Sequence, residues 1–464
     1  MKLTAQEICI ATSGMLVRGF SDTVFTAVSI DSRTVLPGAL FVPLPGTRTD
    51  GHAFLVAAVQ QGAAGFFFAE SVKPKLPDNA TAIRVRDPLT ALQNLATWYR
   101  NRLHGRIIGI AGSNGKTTTK ELMAQVFATQ KKTWSTQGNL NNHIGLPLTI
   151  LRSDGDVAVL VLELGTSGPG ELTTLCHIAR PEIGVITSIA EEHTETFKDL
   201  AGVIAAETEL IAALPQNGVA IVNGDHDELL ETINRQARCR VMTFGEHRSN
   251  QFRISNLHVT RNGTRFTLTT PTGTQEVQLK LLGSHFALAA AASVAAATTC
   301  GIALADACTA LSVAKGAVRR MAVVDLPARQ LTVLDDCYNA NPASMQQALL
   351  TVQQVRAAGE RVILVLGDML ELGDLSRIRH QQVGAMVATL APLPDAVVAV
   401  GEEARLIAAT VEKTPVPVRW FATSDVAATF VRETIESFRG PQLVLVKGSR
   451  GIRLEEVTRK VTET

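Results

Sequence analysis

The feature that most constrains this chain is a glycine-rich turn between an apolar strand pattern and a helical pattern. The strand pattern includes Arg106-Ile107-Ile108, and the helical pattern includes Glu121 to Phe127. Glycines in such a turn let backbone N–H groups point inward, and the start of the helix adds positive potential. This order of elements predicts a cradle for phosphate groups. The residues that we predict to form it are Gly112, Ser113, Asn114, Gly115, Lys116, Thr117 and Thr118.

Two side chains give this cradle its chemistry. Lys116 neutralises phosphate charge, and Thr117 offers a hydroxyl to Mg²⁺. The full eight-residue phosphate-loop pattern would place a glycine at position 110, where this chain has Ile110. The alternative is a glycine-rich turn that binds nothing, but the strand, the Gly115-Lys116-Thr117 sequence and the helix occur in the order that the mechanism needs. We therefore predict a nucleoside triphosphate as the ligand.

Length and composition limit the remaining possibilities. The 464 residues are too many for one hydrophobic core, so we expect three domains. The net charge is +1 and no long basic run occurs, which argues against nucleic acid or an anionic membrane as a partner. The six cysteines form no C-x-x-C pair, and residues 1–20 lack the pattern of a secretory signal. We expect a cytoplasmic monomer, with residues 286–297 forming a buried helix rather than a membrane span.

The alternation of strand and helix patterns predicts an α/β protein. We place a small N-terminal α/β domain at residues 1–84, a central domain with a mostly parallel sheet at residues 85–315, and a third α/β domain at residues 316–464. Alternation within residues 250–282 predicts an antiparallel hairpin added to the central sheet. The third domain has the pattern of a Rossmann-like fold, but no G-x-G-x-x-G follows a strand, which argues against NAD.

Several strings along the chain resemble the Mur ligases of peptidoglycan synthesis. The loop Gly112-Ser113-Asn114-Gly115-Lys116-Thr117-Thr118 is similar to their ATP-binding loop, and the resemblance extends from about Asp31 to Arg450. It implies a UDP-binding first domain, an ATPase-like second domain and a ligase third domain. The strings are Asp31-Ser32-Arg33, Thr136 to Pro147, Asp335 to Ser344, Gly367-Asp368-Met369-Leu370-Glu371-Leu372-Gly373 and Val446-Lys447-Gly448-Ser449-Arg450.

The resemblance implies roles for residues that bind substrate. Ser32 and Arg33 would hold the UDP diphosphate, the arginine through its planar fork. From the residues alone, a polar turn is the favoured interpretation of the same string, and it is the resemblance that makes these two residues candidates. Asn139 and Asn142 would lie beside the muramyl peptide and the nucleotide, although asparagines also serve as turn residues.

The resemblance also implies a metal site. Glu163 ends an apolar run typical of a buried parallel strand, and His193 follows another such strand; both match metal ligands of the family. Fourteen residues beyond His193, where the family has a carbamylated lysine, this chain has Glu207. Glu207 could supply that carboxylate directly, through a water, or could be a glutamate on a helix surface.

Further differences and matches concern the nucleotide and the third domain. The family's two asparagines after the Gly-x-His motif, the second of which contacts adenine, are Phe286 and Ala289 here. Adenine recognition must therefore differ. Arg320 aligns with an arginine that reaches ATP phosphate, while His380 fits the family and equally fits a structural histidine. The remaining residues assigned to ATP, to the dipeptide or to the phosphates are Asn339, Lys447, Ser449 and Arg450.

The resemblance implies that ATP phosphorylates the C-terminal carboxylate of UDP-N-acetylmuramoyl-tripeptide and that D-alanyl-D-alanine attacks the acyl phosphate. The catalytic residues would be Lys116, His193, Glu207 and Arg320, with Thr117, Glu163 and His193 holding Mg²⁺. Two alternatives stay open. One is another ligase of this architecture, such as the folylpolyglutamate synthase type, and the other is a nucleotide-sugar-binding homologue that has lost catalysis. The third residue of the tripeptide is not predicted.

Overall fold

Three α/β units follow one another along the computed structural model, which describes residues 1–46 and 49–463. The first unit has a two-stranded antiparallel sheet and a five-stranded sheet in which one pair of strands is antiparallel. Its elements are β1 (Leu3–Thr4), α1 (Ala5–Thr12), β2 (Met15–Arg18), β3 (Val24–Phe25), β4 (Ala27–Ser29), β5 (Ala39–Phe41), a 3₁₀ turn (Gly51–Phe54), α2 (Leu55–Gln60), β6 (Gly65–Ala69) and β7 (Thr81–Val85).

A helix, α3 (Pro88–Arg100), connects the first unit to the second. Asp87 caps it by accepting the N–H of Thr90, and Pro88 occupies the first turn, where a missing N–H costs nothing. Its buried face includes Leu92 and Leu95, which belong to an apolar core shared by the first unit and one face of the central sheet. The helix therefore packs the two units against each other.

The central unit contains a nine-stranded sheet. Its strands are β8 (Arg106–Ala111), β9 (Thr133–Ser135), β10 (Val159–Glu163), β11 (Ile183–Ile186), β12 (Val219–Asn223), β13 (Arg240–Gly245), β14 (Phe252–Thr260), β15 (Gly263–Thr270) and β16 (Gly273–Leu279). Its helices are α4 (Lys116–Ala128), α5 (Gly145–Arg152), α6 (Glu171–Ala179), α7 (Thr194–Phe197), α8 (Leu200–Glu207), α9 (Glu209–Ala212), α10 (Asp227–Gln236), α11 (His285–Thr299) and α12 (Leu304–Val313).

The strand order of this sheet is β16-β15-β14-β13-β12-β11-β8-β10-β9. Neighbours from β9 to β14 run parallel, whereas β14, β15 and β16 are antiparallel, which confirms the predicted hairpin and extends it by one strand. Helix α11 is buried along the alanine-rich stretch predicted to be a core helix. Among the described residues, no helix is long and apolar enough to cross a membrane.

The third unit has a six-stranded sheet of order β17-β18-β22-β19-β20-β21, parallel except for the β17–β18 pair. The α/β class and the three-unit architecture are thus confirmed. Its strands are β17 (Ala322–Leu326), β18 (Leu331–Asp336), β19 (Arg361–Gly367), β20 (Ala396–Val400), β21 (Val418–Phe421) and β22 (Gln442–Lys447). Its helices are α13 (Pro342–Val355), α14 (Ser376–Ala388), α15 (Arg405–Val411), α16 (Ser424–Ser437) and α17 (Glu455–Thr462), with 3₁₀ turns at Pro327–Arg329, Gly373–Leu375 and Arg450–Ile452.

Candidate active site

The order of three central strands brings the predicted phosphate and metal residues together. Strand β8 lies between β10 and β11, and all three are parallel. The phosphate loop follows β8, Glu163 ends β10, and the loop that carries His193 follows β11. Because parallel strands end at the same edge of a sheet, these groups meet in one crevice.

Backbone contacts hold the phosphate loop in a fixed shape. Gly112 has φ +120°, and a Cβ built there would lie 2.4 Å from the Thr187 hydroxyl, so no side chain fits. The Ser113 N–H donates to the Ser188 carbonyl at 2.7 Å, and the Asn114 N–H donates to the Ser188 hydroxyl at 3.1 Å. Helix α4 then begins without a side-chain cap, which leaves the N–H groups of its first turn available to an anion.

Lys116 lies in this loop among carboxylates. Its ammonium contacts the Gly112 carbonyl and is 3.5 Å from the Ser113 carbonyl. Burial by itself would lower the pKa of Lys116, but the nearby carboxylates of Glu192, Glu207 and Glu163 raise it above its usual value. The site therefore keeps a full positive charge on Lys116.

Glu163 is a buried carboxylate with one unused oxygen. Its Oε1 accepts from Asn141 Nδ2 at 2.9 Å, while its Oε2 is buried and has no hydrogen-bond partner among the described residues. A carboxylate oxygen left in this state is costly unless a cation meets it, and it is the ligand type that Mg²⁺ prefers. Thr117, whose hydroxyl lies 3.5 Å from Arg320 Nη2, lines the same cavity.

His193 and its neighbour Glu192 line that cavity as well. Burial raises the pKa of Glu192 to about 8, against the lowering effect of Lys116, and its Oε1 has no hydrogen-bond partner among the described residues. Sequence reasoning missed Glu192, although it immediately precedes His193 in the string Glu191-Glu192-His193. In the described part of the chain, no three His, Cys, Asp or Glu side chains form a ready metal centre. A Mg²⁺ ion here would need phosphate and water ligands too, which is its usual habit.

Glu207, at the end of α8, does not lie on a helix surface; that alternative was wrong. The residue is 1% exposed, and its Oε2 accepts the Gly112 N–H at 2.7 Å. Burial raises the pKa of Glu207, while Lys116 and the Gly112 hydrogen bond lower it. One carboxylate oxygen is thus committed to the phosphate loop.

Two cavities meet at the phosphate loop. The first, of about 330 Å³, is lined by Lys116, Thr117, Asn142, Glu163, Glu192, His193 and Asn339 among others. The second, of about 300 Å³, is lined by Thr118, Asn223, His226, Phe244, Glu246, His285, Ala289, Gln347 and Lys447 among others. Asn114, Gly115, Arg320 and Ser344 line both.

The third unit supplies part of these walls. Arg320 lies 4.2 Å from the centre of the Tyr338 ring, in a cation–π contact. Asn341 caps helix α13 and donates through Nδ2 to Asn114 Oδ1 in the phosphate loop at 2.9 Å. The ligand crevice is therefore formed by both units.

The two residues that stand where the family has asparagines lie in different surroundings. Phe286 is fully buried in the core, whereas Ala289 lines the second cavity. His285, on the same helix, is half-buried and lines the second cavity; burial lowers its pKa to about 4, so its imidazole is neutral near pH 7.

The two first-domain residues lie outside both cavities. Arg33 is 85% exposed, and its guanidinium holds Asp31 through two contacts of 2.9 and 2.7 Å. These bonds lower the pKa of Asp31 to about 2. Ser32 is half-buried beside them. A diphosphate bound by Arg33 would therefore have to replace Asp31.

The two predicted asparagines have different positions. Asn139 is exposed and lines neither cavity. Asn142 lines the first cavity, and its Oδ1 accepts the N–H groups of Ile144 and Gly145 at 3.1 and 2.9 Å. It thereby fixes the start of α5.

The last predicted residues lie near the end of β22. Lys447 is buried and donates to Asp336 Oδ2 at 2.7 Å and to the Asn339 carbonyl at 3.1 Å. Ser449 is buried; its hydroxyl accepts the Leu370 N–H at 3.0 Å. Arg450 is exposed, with its guanidinium 5.9 Å from the Tyr338 ring centre.

His380 is enclosed within the third unit. Its Nε2 accepts the Met369 N–H at 3.0 Å, and its Nδ1 lies 2.8 Å from the Ser376 carbonyl. Both ring nitrogens are used by the backbone, so the structural interpretation holds.

Comparisons with known proteins point to one family. Three Mur ligase models match this chain: the Mur ligase family catalytic domain at residues 24–100, the Mur ligase middle domain at residues 110–297, and the Mur ligase glutamate ligase domain at residues 319–450.

Relatives of nearly the same length carry one name. The chain is 35% identical to a UDP-N-acetylmuramoyl-tripeptide–D-alanyl-D-alanine ligase of Bacillus subtilis over 470 residues, covering 100% of the chain and 99% of the relative. It is 36% identical to the ligase of that name from Escherichia coli, covering 96% and 95%.

Solved structures agree. MurF from Acinetobacter baumannii superposes with a TM-score of 0.90 at 29% identity, covering 100% of this chain and 99% of the other. MurF ligase from Thermotoga maritima, solved in complex with ADP, superposes with a TM-score of 0.82 at 25% identity, covering 94% and 96%.

Proposed function

The chain belongs to the Mur ligase family, and we propose that it joins D-alanyl-D-alanine to UDP-N-acetylmuramoyl-tripeptide with the cleavage of ATP. The observation that carries the proposal is the first cavity, where the phosphate loop, the unpartnered Glu163 oxygen and Arg320 of the third unit come together. A nucleotide phosphate placed there would meet groups from both units.

The reaction has two balanced steps. The γ-phosphoryl group of ATP passes to the C-terminal carboxylate of the tripeptide, giving an acyl phosphate and ADP. The dipeptide amine then attacks the acyl carbon and loses a proton, and phosphate leaves as the amide forms. Lys116 and the first-turn N–H groups of α4 would hold the phosphates, and Arg320 would meet charge on the transferred group.

We assign Mg²⁺ binding to Thr117, Glu163 and His193, and we add Glu192 because it presents a second unpartnered buried oxygen in the same cavity. The ion, when bound, supplies charge neutralisation on the phosphates. Glu207 acts differently: it fixes the loop through the Gly112 N–H and opposes the charge of Lys116.

The substrates are assigned to three regions. Ser32 and Arg33 bind the UDP diphosphate, and Arg33 gives up its ion pair with Asp31 when the diphosphate binds. Asn139 and Asn142 lie toward the muramyl peptide, and the ATP nucleoside occupies the second cavity.

In the third unit, Asn339 contacts the nucleotide. Lys447 and Ser449 support the walls from within, and the exposed Arg450 meets the dipeptide. We retain residues 1–84, 85–315 and 316–464 as the domain limits and propose a monomer. The six free cysteines agree with a reducing cytoplasm.

The proposal is tested by measuring phosphate release from ATP with purified protein, UDP-N-acetylmuramoyl-tripeptide and D-alanyl-D-alanine. We expect release only when both co-substrates are present, with a product whose mass equals tripeptide plus dipeptide less water. Parallel assays with diaminopimelate and lysine tripeptides identify the third residue. Binding of the UDP substrate without any phosphate release would instead indicate a homologue that has lost catalysis.

A further inference from the structure

A set of contacts joins the loop after β11 in the central unit to the segment after β19 in the third unit. We call it the clasp. The central residues are spaced two apart, and they meet the third unit on one side of the first cavity. His193 Nδ1 lies 2.9 Å from Glu371 Oε2, and Glu191 forms an ion pair with Arg379. Glu195 packs closely against Gly373: a Cβ built on Gly373 would lie 2.8 Å from the Glu195 Cγ.

The two residues at the centre of the clasp have unusual backbones. His193 has φ 45° and Glu371 has φ 66°, in the left-handed region that residues other than glycine seldom adopt. Conformations of this kind persist only where the surroundings determine them. Here the two residues so constrained are the two whose side chains meet.

The third unit presents Glu371 from a loop that is held firmly from behind. The Asp368 carboxylate accepts the Ala404 N–H at 2.6 Å. The Met369 N–H donates to His380, and the Leu370 N–H donates to the Ser449 hydroxyl, each at 3.0 Å. These bonds hold the three residues before Glu371 in place. The string Gly367 to Gly373 therefore has a structural role, the placement of Glu371, which the proposed function does not include.

The chemistry of imidazole gives this contact a consequence. A carboxylate on Nδ1 fixes the proton there, which leaves Nε2 as the nitrogen with a free lone pair. Such a carboxylate also orients the ring and strengthens the other nitrogen as a ligand. His193 lines the first cavity beside Glu163 and Thr117.

We infer that Glu371 is a positioning residue for the reaction: it holds the His193 imidazole through Nδ1 so that Nε2 is offered to a divalent cation in the first cavity. The inference rests on the proposed function, because it takes His193 as a metal ligand. It makes binding of the ion depend on contact between the central and third units.

The clasp supplies its own controls. Arg379 joins the same two segments through its ion pair with Glu191. Asp374 is an exposed carboxylate three residues beyond Glu371. Arg379→Gln therefore weakens the attachment of the segments without removing the partner of His193, and Asp374→Asn removes a charge from the same segment.

The test measures Mn²⁺ binding to the full-length protein with ADP, using the electron paramagnetic resonance signal of free Mn²⁺. We expect Glu371→Ala to weaken Mn²⁺ binding about tenfold. Glu371→Gln retains an acceptor for the Nδ1 proton and should fall between wild type and Glu371→Ala. The double variant His193→Ala, Glu371→Ala should bind no worse than His193→Ala alone, since the two residues act as one unit.

Arg379→Gln should weaken binding less than threefold, and Asp374→Asn should match the wild type. The inference is overturned if Glu371→Ala binds Mn²⁺ like the wild type, if its effect adds to that of His193→Ala, or if Arg379→Gln is as damaging. The ligation assay separates the two claims. A wild type that ligates but shows no Glu371 effect refutes this inference alone, whereas a Glu371 effect in a protein that does not ligate refutes the proposed substrates alone.

Discussion

The two cavities on either side of the phosphate loop are built in different ways. The first takes most of its functional groups from neighbouring parallel strands, at the ends of β8 and β10 and in the loop after β11. The second is assembled from elements far apart in the chain, including β12, β13, α11 and α13. The order of neighbouring strands thus brings together the central-unit groups of the first cavity, which Arg320 and Asn339 of the third unit complete, whereas the second cavity is formed largely by the packing of distant elements.

The cavities also differ in charge. The first contains Lys116 opposed by Glu163 and Glu192, and two of its carboxylate oxygens have no partner in the described residues. The second also has charged groups in its lining, but Lys447 there is already paired with Asp336, and its α11 wall carries the neutral His285 and the small Ala289. We therefore expect changes in the first cavity to act on kcat, because charge develops there, and changes in the second to act on nucleotide binding.

The largest effect should come from Lys116→Ala. The substitution removes the cation of the phosphate loop, and we expect kcat to fall about 10³-fold or more while the protein stays folded. Turnover at saturating ATP and a thermal unfolding curve check this. Lys315→Ala, which removes an exposed lysine, is the control. Unchanged turnover in Lys116→Ala would refute the phosphate-loop assignment and with it the contrast between the cavities.

The next prediction compares two buried glutamates: Glu163, which lines the first cavity, and Glu207, which contacts the phosphate loop. Glu163→Gln alters a proposed metal ligand, whereas Glu207→Gln keeps an acceptor for the Gly112 N–H and loses only the charge near Lys116. We expect each to lower kcat tenfold to a hundredfold, but only Glu163→Gln should raise the Mg²⁺ concentration needed for half-maximal activity.

Mg²⁺ titrations of both variants provide the measurement. Wild-type activity should also be indifferent to bicarbonate depletion, because a glutamate needs no carbamylation. A raised Mg²⁺ requirement in Glu207→Gln would place that carboxylate on the metal after all.

The two cavities also differ in how well the sequence predicts them. Lys116, Thr117, Glu163 and His193 line one cavity as predicted, because parallel strands bring their ends to one edge whatever the details of packing. The contact between Glu207 and Gly112 spans 95 residues and depends on how α8 packs behind the loop. No spacing rule gives such a contact.

Elements were predicted where a local pattern exists. Buried strands such as β10 and β19 are continuous apolar runs and were predicted correctly. The edge strands β9 and β21 have three and four residues, too short to show a period. The second-cavity residues Asn223, His226 and Gln347 carry no motif at all, since they meet only after the units have packed.

A smaller effect is expected for Arg33→Ala, which lies outside both cavities. If Arg33 holds the diphosphate, its loss should raise the KM for the UDP substrate about tenfold and leave kcat nearly unchanged. Arg33→Lys keeps the charge but not the planar fork, so it should recover only part of the affinity. Equal increases in the KM of all three substrates would instead point to a folding role.

The smallest effect, and the sharpest test of the second cavity, is expected for Ala289→Asn. Ala289 lines this cavity at the position where the family has an adenine-contacting asparagine, and the cavity holds about 300 Å³ of free space. An added amide could donate to and accept from the edge of adenine, and one such hydrogen bond contributes about 1 kcal/mol, or severalfold in affinity. We expect the ratio of kcat/KM for ATP to kcat/KM for GTP to rise about fivefold. The rise should come from a lower KM for ATP, with kcat unchanged. Ala289→Val adds similar bulk without polar atoms and should weaken the binding of ATP and GTP alike.

If Ala289→Asn also weakens the binding of both nucleotides alike, the base does not lie against α11, and the second cavity must be reassigned. If kcat falls as well, the separation between a catalytic cavity and a binding cavity fails.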